Sequence, residues 1–482
     1  MDTSTLLLQG SARAIGAAIA TGRLTSVAAT RWYLERIARF NDGPGGINAV
    51  RQVSTTALEQ AAAADRELAA GSVRGPLHGV PYLAKDNIFT LAGLATAAGA
   101  QALNGYTPPY AATVIRRLDE AGAVLLGKAN LTEFADFVSD VMPSEFSGAG
   151  GVVRNPLGFR YDRGQGSSVG SAAAVAARFC AFALGSETQN SIQTPASVTS
   201  VTGFKPTVGR VSRHGVVPLV PSQDSPGPLA LCVNDAALVL QAIEGADVRD
   251  TATLALAQLS HGAGRPAIAS LVGVRIGVPR RCVADLTLTP DQAPALERVL
   301  RALSGAGAII IDPCDFPQAD ALHQVRSSVF RTEFKASLDN LLAALRPRGF
   351  ASLRDLIAWN TRHPEAIPYG QSLLEAAAAT QGLQASQYVE DRQLDVTLSL
   401  DGGILGALAA GNADVLLSPM SAAAKCTGKA GAPVLALPAG RDRTGTPFGI
   451  TLFAEPGADQ RLLDLGALIE PLIGGRLMPA PD

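Results

Sequence analysis

Several hydroxyl groups stand close together in GSETQNSIQTPAS, the segment at residues 185–197, and one of them could act as a nucleophile. A serine hydroxyl is a weak nucleophile until a neighbouring base takes its proton. The segment contains no histidine and no cysteine, and its only charged side chain is Glu187. Acyl transfer at one of these serines therefore requires a base from another part of the chain.

Two further motifs indicate other chemistries. GAVLLGKA at 122–129 approaches the phosphate-loop pattern GxxxxGK[ST], but Ala129 stands where the magnesium-binding hydroxyl is needed and the residues between the glycines favour a strand. GSSVG at 166–170 matches the nucleophile elbow GxSxG, with Ser168 as the nucleophile and a helical pattern after it. The elbow also needs a downstream acid and histidine, and nothing in the sequence selects them. We therefore expect Lys128 to be a strand-end residue and Ser168 to cap or support a helix.

The composition excludes several kinds of partner. Of the 482 residues 47% are hydrophobic, and 42 acidic side chains nearly balance 40 basic ones. We expect a large core and no affinity for nucleic acid or an anionic membrane. The N-terminus lacks a basic segment before its short apolar run, and the longest apolar stretch is too short to span a bilayer. A cytoplasmic location is therefore expected.

The cysteines give no sign of a disulfide framework or a zinc site, because they are odd in number, scattered and without a CxxC pair. This pattern suits a reducing compartment. They are Cys180, Cys232, Cys282, Cys314 and Cys426.

The elements that must position the serines alternate between helix and strand. Two helices are predicted to open the chain, the second with Thr25 as its N-cap, and a third to end at Gly71. Strand patterns at GVPYLAKDNI, VLLGKAN and CAFALGSE then alternate with helical ones at AATVIRRLDEAGA and SSVGSAAAVAARF. The same rhythm returns from VRIGVPR onward and closes with the pair APVLALPAG and FGITLFA.

This alternation predicts an α/β fold with a large, mainly parallel or mixed central sheet covered by helices on both faces. Residues 316–400 read as purely helical, and we expect them to form a helical insertion that caps the sheet. The chain is predicted to be a single domain over 1–482, with its core at about 75–245.

Several linked motifs together resemble the amidase signature family, and their order and spacing fit over most of the chain. They are GPLHGVPYLAKDNI (75–88), GQGSSVGSAAAVAA (164–177), GSETQNSIQTPA (185–196), GFKPTVGRVSRHGVVPLVPSQDSPGP (203–228) and AGAPVLALPAG (430–440).

The resemblance implies a Ser–cis-Ser–Lys triad. It places the base at Lys85, the bridging serine, whose preceding peptide bond is cis in the family, at Ser167, and the nucleophile at Ser191. A lysine can serve as a base only if burial lowers its pKa, and its apolar neighbours make that plausible. Because the carboxylate of Asp86 would oppose this effect, we expect it to point elsewhere. A non-proline cis bond costs about 3–4 kcal/mol, and Gly166 would ease the crowding.

The resemblance also implies an oxyanion hole made by the backbone N–H groups of Thr188, Gln189, Asn190 and Ser191. This sequence has Gln189 and Asn190 where the family usually has glycines. The family's usual aspartate and arginine are Glu187 and Gln193 here, so any ion pair between them is lost. These departures put the substrate preference in doubt more than the reaction type.

Residues 351–382 resemble the helical region of free-standing bacterial amidases. We therefore expect a hydrolase of the C–N bond of a small-molecule amide, monomeric or homodimeric, without metal or organic cofactor. The same triad would also serve a carbamate (urethane) or urea-type hydrolase, or the amidase subunit of a glutamine-using amidotransferase. A non-catalytic binding protein on this fold is the alternative from another class.

Overall fold

A computed structural model describes residues 2–91, 93–258, 268–281 and 288–479. Cys282 lies outside these residues. The described chain contains thirteen strands, which are β1 Val50–Val53, β2 Pro81–Lys85, β3 Val124–Ala129, β4 Phe146–Ser147, β5 Gly151–Val152, β6 Phe182–Glu187, β7 Thr202–Lys205, β8 Ser225–Ala230, β9 Arg275–Gly277, β10 Ile309–Ile311, β11 Val415–Pro419, β12 Val434–Arg441 and β13 Pro447–Phe453.

Eleven of these strands form one sheet, in the order β1-β3-β2-β6-β8-β7-β12-β13-β11-β9-β10, and β4 pairs with β5 alone. Four neighbouring pairs in the large sheet are parallel, namely β2-β3, β2-β6, β9-β10 and β9-β11. The other pairs are antiparallel. The predicted class, α/β with a large mainly parallel or mixed sheet, is confirmed in its mixed form.

The helices cover the sheet and are, in chain order, α1 Thr3–Gln9, α2 Ala12–Ala20, α3 Ser26–Phe40, α4 Ala57–Ala69, α5 Thr113–Glu120, α6 Val169–Ala176, α7 Gln193–Thr199, α8 Val233–Ile243, α9 Thr251–Gln258, α10 Ala293–Gly305, α11 Ala319–Gln324, α12 Val329–Leu345, α13 Leu353–Arg362, α14 Ser372–Ala378, α15 Ser386–Val396, α16 Gly406–Gly411, α17 Ala424–Lys429 and α18 Asp459–Ile473. A π-helix, Thr397–Leu405, joins α15 to α16, and short 3-10 turns occur at Gln101–Leu103, Glu133–Ala135, Pro347–Gly349 and Pro364–Ala366.

The centre of the sheet is buried on both faces. Every residue of β2, β3 and β6 is buried, and so is every residue of α6, which packs against β6. Strands covered on both faces are near-continuous apolar runs, which is why these segments were readable from the sequence. The Thr25 side chain accepts a hydrogen bond from Ala28 N at 3.0 Å, which confirms it as the N-cap of α3.

The prediction of a helical stretch at 316–400 is confirmed, because α11 to α15 fill it with short turns between them. This block contacts the loop that follows β3 through aromatic rings. The ring of Phe334 on α12 lies 6.0 Å from that of Phe134 and 4.8 Å from that of Phe137. The block therefore packs on the loops at one end of β3.

One helical run, Ser386–Gly411, has the length and apolar composition that could cross a membrane. Two of its four acidic residues, Asp391 and Asp395, are nevertheless buried by protein. Asp391 accepts a hydrogen bond from Ser328 N at 2.6 Å, and Asp395 pairs with Lys429. These two contacts connect the run to neighbouring elements of the fold.

Candidate active site

Lys85 ends the central strand β2 and is completely buried. Its Nζ donates to Ser167 Oγ at 2.6 Å, and to the carbonyl oxygen and Oγ of Ser186 at 3.1 Å each. Burial lowers the pKa of Lys85 to about 7, although the nearby carboxyl groups of Asp224, Glu187 and Asp136 act in the opposite direction. Near neutral pH the Lys85 amine is therefore uncharged in a large fraction of the molecules.

The carboxylate of Asp86 points away from this amine, as expected. Its Oδ2 lies 2.8 Å from Arg51 Nε, and its Oδ1 accepts a hydrogen bond from Arg51 Nη2 at 3.0 Å. Successive side chains of a strand point to opposite faces, so the two neighbours serve different sites.

The loop that carries Ser167 makes a tight turn at Gly166, which has φ +90°. A Cβ at Gly166 would lie 2.9 Å from Ser191 Cα and 2.7 Å from Pro195 Cδ, so only glycine fits. The peptide bond before Ser167 is trans, contrary to the cis bond implied by the resemblance. Among the described residues a cis bond occurs only at Asp312–Pro313. The left-handed conformation of Gly166 makes the turn here.

Ser191 lies directly opposite this loop, ahead of helix α7. Its carbonyl oxygen accepts a hydrogen bond from Ser168 N at 3.0 Å, which ties the two serine-rich segments together. The residue is 4% exposed, and its hydroxyl makes no hydrogen bond within the described ranges. The structure thus joins Lys85 to Ser167 by a hydrogen bond and shows none between the Ser167 and Ser191 hydroxyls.

The four N–H groups expected to form the oxyanion hole, those of Thr188, Gln189, Asn190 and Ser191, donate no hydrogen bond within the part of the chain that the structure describes. They lie between the end of β6 and the start of α7. Free consecutive N–H groups beside a serine can bind the negative oxygen that forms when a carbonyl is attacked.

The carboxyl group of Glu187 holds the turn between β6 and α7 through hydrogen bonds. Its Oε2 accepts hydrogen bonds from Ile192 N at 2.6 Å and Gln193 N at 2.8 Å, and its Oε1 accepts one from Gln193 Nε2 at 2.8 Å. Positions 187 and 193 remain in contact without an ion pair, because the uncharged Gln193 side chain donates a hydrogen bond to the carboxyl group. Burial raises the pKa of Glu187.

The side chains that replace the usual glycines turn away from the N–H groups. Gln189 Nε2 donates to Gln223 Oε1 at 3.1 Å, and Asn190 Nδ2 donates to the carbonyl oxygen of Gly164. Asn190 thereby adds a second link between the two serine-rich loops.

Sequence reasoning missed Ser186 as a partner of Lys85, although it lies in the same segment as Ser191. The Ser186 hydroxyl accepts hydrogen bonds from Lys85 Nζ and from Asn87 Nδ2, the latter at 2.9 Å. A cavity of about 220 Å³ opens beside them, lined in part by Asn87, Ser186, Thr188 and Leu219. The sequence does place the Ser186 hydroxyl near the end of a buried apolar strand. A buried hydroxyl needs a hydrogen-bond partner, and this could have indicated its contact with Lys85.

Neither alternative motif forms its site. Lys128 is buried within β3 and donates to the carbonyl oxygen of Ile88 and to Thr96 Oγ1, the latter at 2.9 Å, so it does not face a phosphate loop. Ser168 is also buried, and its Oγ donates to the carbonyl oxygen of Ser186 at 3.1 Å. Ser168 thus holds β6 against the loop of Ser167.

Fold and site together define an α/β enzyme with a buried lysine and a cluster of serines at the C-terminal ends of the central strands β2 and β6. The amidase family profile, described as "Amidase", matches residues 28–463, and the chain belongs to this family as an amidase.

Individual relatives agree with this assignment. The native peptide amidase of Stenotrophomonas maltophilia has a TM-score of 0.88 and 36% identity, over 98% of this chain and 99% of that one. An amidase family protein from Bacillus anthracis has a TM-score of 0.89 and 29% identity, over 98% and 93%. A glutamyl-tRNA(Gln) amidotransferase subunit of Ralstonia pickettii is 31% identical, over 94% of this chain and 95% of the relative.

Proposed function

We propose that this amidase works through an acyl-enzyme, with Ser191 as the nucleophile, Ser167 as a proton relay and neutral Lys85 as the base. The observation that carries the proposal is the hydrogen bond of 2.6 Å between Lys85 Nζ and Ser167 Oγ, made by an amine whose pKa burial lowers to about 7. A neutral amine can accept the proton that the Ser167 hydroxyl passes on when it takes the proton of Ser191.

In the first half of the reaction Ser191 Oγ bonds to the substrate carbonyl carbon, and its proton moves through Ser167 to Lys85. The C–N bond then breaks, and the same proton returns along the chain to the leaving nitrogen. In the second half water attacks the ester carbonyl carbon and gives its proton to Lys85 by the same route. The bond between that carbon and Ser191 Oγ then breaks, the proton returns through Ser167 to Ser191 Oγ, and the acid departs. The relay contact between Ser167 and Ser191 forms with substrate bound, as catalytic hydrogen bonds often tighten only then.

The free N–H groups of residues 188–191 support the second part of the proposal, that they bind the developing oxyanion. Each such donor typically contributes about 100- to 1,000-fold to the rate in enzymes of acyl transfer. Because the donors are main-chain groups, Gln189 and Asn190 can replace glycines without removing them.

A free-standing hydrolase of primary amides, including C-terminal amides of peptides, is the substrate class we favour. Support comes from the peptide amidase of Stenotrophomonas maltophilia, which aligns over 98% of this chain. Carbamates and ureas are the runner-up substrates, since their carbonyl can be attacked in the same way. A role in an amidotransferase has support from the Ralstonia pickettii relative, but that role would require partner subunits.

Covalent labelling tests the assignment of the nucleophile. We expect a serine-directed phosphonate or sulfonyl fluoride to modify Ser191, as located by mass spectrometry of the digested protein. Ser191→Ala should abolish labelling, and Ser168→Ala, the control in the adjacent loop, should retain it. An adduct on Ser168 would refute the proposal in favour of the elbow.

A substrate panel on the purified chain then separates the substrate classes. It would contain primary amides, anilides, peptide amides, carbamates and esters, with release of ammonia or amine as the readout. Turnover by the isolated chain is expected for amides. Turnover of carbamates alone would favour the runner-up, and activity that depends on added partner subunits and glutamine would favour the amidotransferase.

A further inference from the structure

Asp136 carries a carboxyl group that the proposed reaction does not use. The residue is half-buried, and Ser144 Oγ donates to its Oδ2 at 3.1 Å. Its Oδ1 has no hydrogen-bond partner within the described ranges. A carboxylate oxygen that is partly shielded from water usually accepts a hydrogen bond. Because this oxygen accepts none, it is available to bind a ligand.

Two short links place Asp136 beside the Ser167 loop. Ser144 Oγ, which binds Asp136, also accepts a hydrogen bond from Gln165 N at 3.1 Å. The carbonyl oxygen of Ser144 accepts from Thr132 Oγ1, and Thr132 N donates to the carbonyl oxygen of Ser167 at 3.2 Å. The charge of Asp136 also influences the proton affinity of Lys85. These hydrogen bonds and the electrostatic influence connect Asp136 to the loop that carries Ser167.

The backbone fixes the direction of this side chain. Phe134, Ala135 and Asp136 have φ values of +44°, +56° and +74°. These are left-handed backbone conformations, which residues other than glycine rarely adopt. The aromatic contacts of Phe134 and Phe137 with α12 hold the run in place. The helical block thus helps to present the carboxyl group.

The two other carboxyl groups that influence Lys85 are already occupied. Glu187 binds the N–H groups at the start of α7. Asp224 Oδ2 accepts from Leu219 N at 2.8 Å, and its Oδ1 accepts from Thr188 Oγ1 at 2.6 Å. Glu145, whose charge also acts on Asp136, pairs with Arg160 at 3.2 Å. Of the carboxyl groups that influence Lys85, Asp136 is the one with an open acceptor.

We propose that the free Oδ1 of Asp136 binds a positively charged nitrogen of the substrate, so that the preferred substrates are amides that carry a protonated amine. The proposal rests on the proposed function, since it assigns the substrate class of the same site. Asp136 is a specificity-determining residue in this account, and the reacting bonds remain those at Ser191.

The arrangement also couples substrate binding to the base. The negative charge of Asp136 favours the protonated form of Lys85, so a substrate cation that neutralises this charge favours the neutral amine. Burial raises the pKa of Asp136 to about 7, and the bound cation would keep the group ionised. A cationic substrate therefore increases the fraction of Lys85 that is neutral and able to act as the base.

The test compares ω-aminoalkanamides of increasing chain length with alkanamides in which a methyl group replaces the ammonium, using ammonia release by the purified chain. For at least one length we expect kcat/KM to favour the ammonium compound by about tenfold or more, the usual value of a hydrogen bond to a charged group. Asp136→Asn should remove this preference, so that the kcat/KM values of the ammonium and methyl compounds become equal within about threefold. Asparagine is nearly the same size and tolerates the left-handed backbone.

Glu145→Gln is the matched control, because it removes the charge of a neighbouring carboxylate whose Oε1 pairs with Arg160. It should keep the preference. The acid limb of the kcat profile, which reports the pKa of Lys85 in the enzyme–substrate complex, should lie at lower pH for the ammonium compound than for the neutral one in the wild type, and the two should coincide in Asp136→Asn. Equal rates for both compounds in the wild type, or equal losses in both variants, would overturn the inference. Absence of hydrolysis of every amide would instead refute the proposed function.

Discussion

The proton affinity of Lys85 makes the pH profile the most direct measure of the proposed base. Burial takes its pKa from 10.5 to about 7, which at about 1.4 kcal/mol per pH unit disfavours the charged form by about 5 kcal/mol. An amine with an ordinary pKa would be neutral in only about one molecule in 3,000 at pH 7. The buried amine is neutral in about half of the molecules at that pH.

We expect kcat/KM for an uncharged amide to fall about tenfold per pH unit below pH 7 and to level off above it, because the neutral amine is the active form. Rates of ammonia release between pH 5 and pH 9 would show this limb, with the fold monitored by circular dichroism at each pH. Lys85→Met should lower the plateau by several orders of magnitude and remove the limb. A wild-type profile that stays flat down to pH 5, or near-normal turnover in Lys85→Met, would refute the neutral lysine as the base.

The same burial has a consequence for stability. Between pH 7 and pH 10.5 the unfolded chain binds a proton at Lys85 that the folded chain largely lacks, so the folded state gains stability as the pH rises through this window. From pH 7 to pH 9 the gain of wild type relative to Lys85→Met should be about 2 kcal/mol. Urea unfolding at the two pH values measures it, and an unchanged difference would mean that Lys85 is charged in the folded protein.

Three substitutions test how the serine-rich loops are held. Gly166→Ala should destabilise the fold and slow labelling of Ser191 by at least about 100-fold, because the new Cβ would clash with the loop that carries Ser191 and the φ of residue 166 is +90°. Thermal unfolding measures the loss of stability, and the rate of labelling measures the effect on Ser191. A labelling rate like that of wild type would contradict the tight approach of the two loops. Glu187→Gln replaces one of two acceptor oxygens by a donor and should cost about 1–3 kcal/mol in urea unfolding. Asn190→Gly should keep kcat/KM within about threefold and cost about 1 kcal/mol of stability, since only the side-chain hydrogen bond to Gly164 is lost. A rate loss above about 100-fold would show that the Asn190 side chain takes part in catalysis.

The buried centre of the sheet could be read from the sequence because its strands are continuous apolar runs. The strands β7 and β8 were not, since TGFK is short and SPGPLA contains two prolines and a glycine, which rarely occur inside a sheet. Both are held as strands by their neighbours, β8 by β6 and β7 by β12. Their pairing runs antiparallel, and they account for three of the six antiparallel pairs of the mixed sheet.

The left-handed run at 134–136 could not be foreseen either, because nothing local favours it. No glycine marks it, and the contacts that hold it come from α12, about 200 residues away in the sequence. The free carboxyl oxygen of Asp136 is therefore a feature of the tertiary structure. The sequence shows an aspartate and does not show what surrounds it.

The apolar patterns of the sequence were enough to predict the alternation of strands and helices, and the resemblance of its linked motifs to a known family indicated which lysine and serines could form a site. The charge of Lys85 depends instead on the folded chain. Its partners Ser167 and Ser186 lie 82 and 101 residues further along the sequence. An amine loses its proton near neutral pH only where folding has removed the water around it, and that shell is assembled from strands and loops distant in sequence.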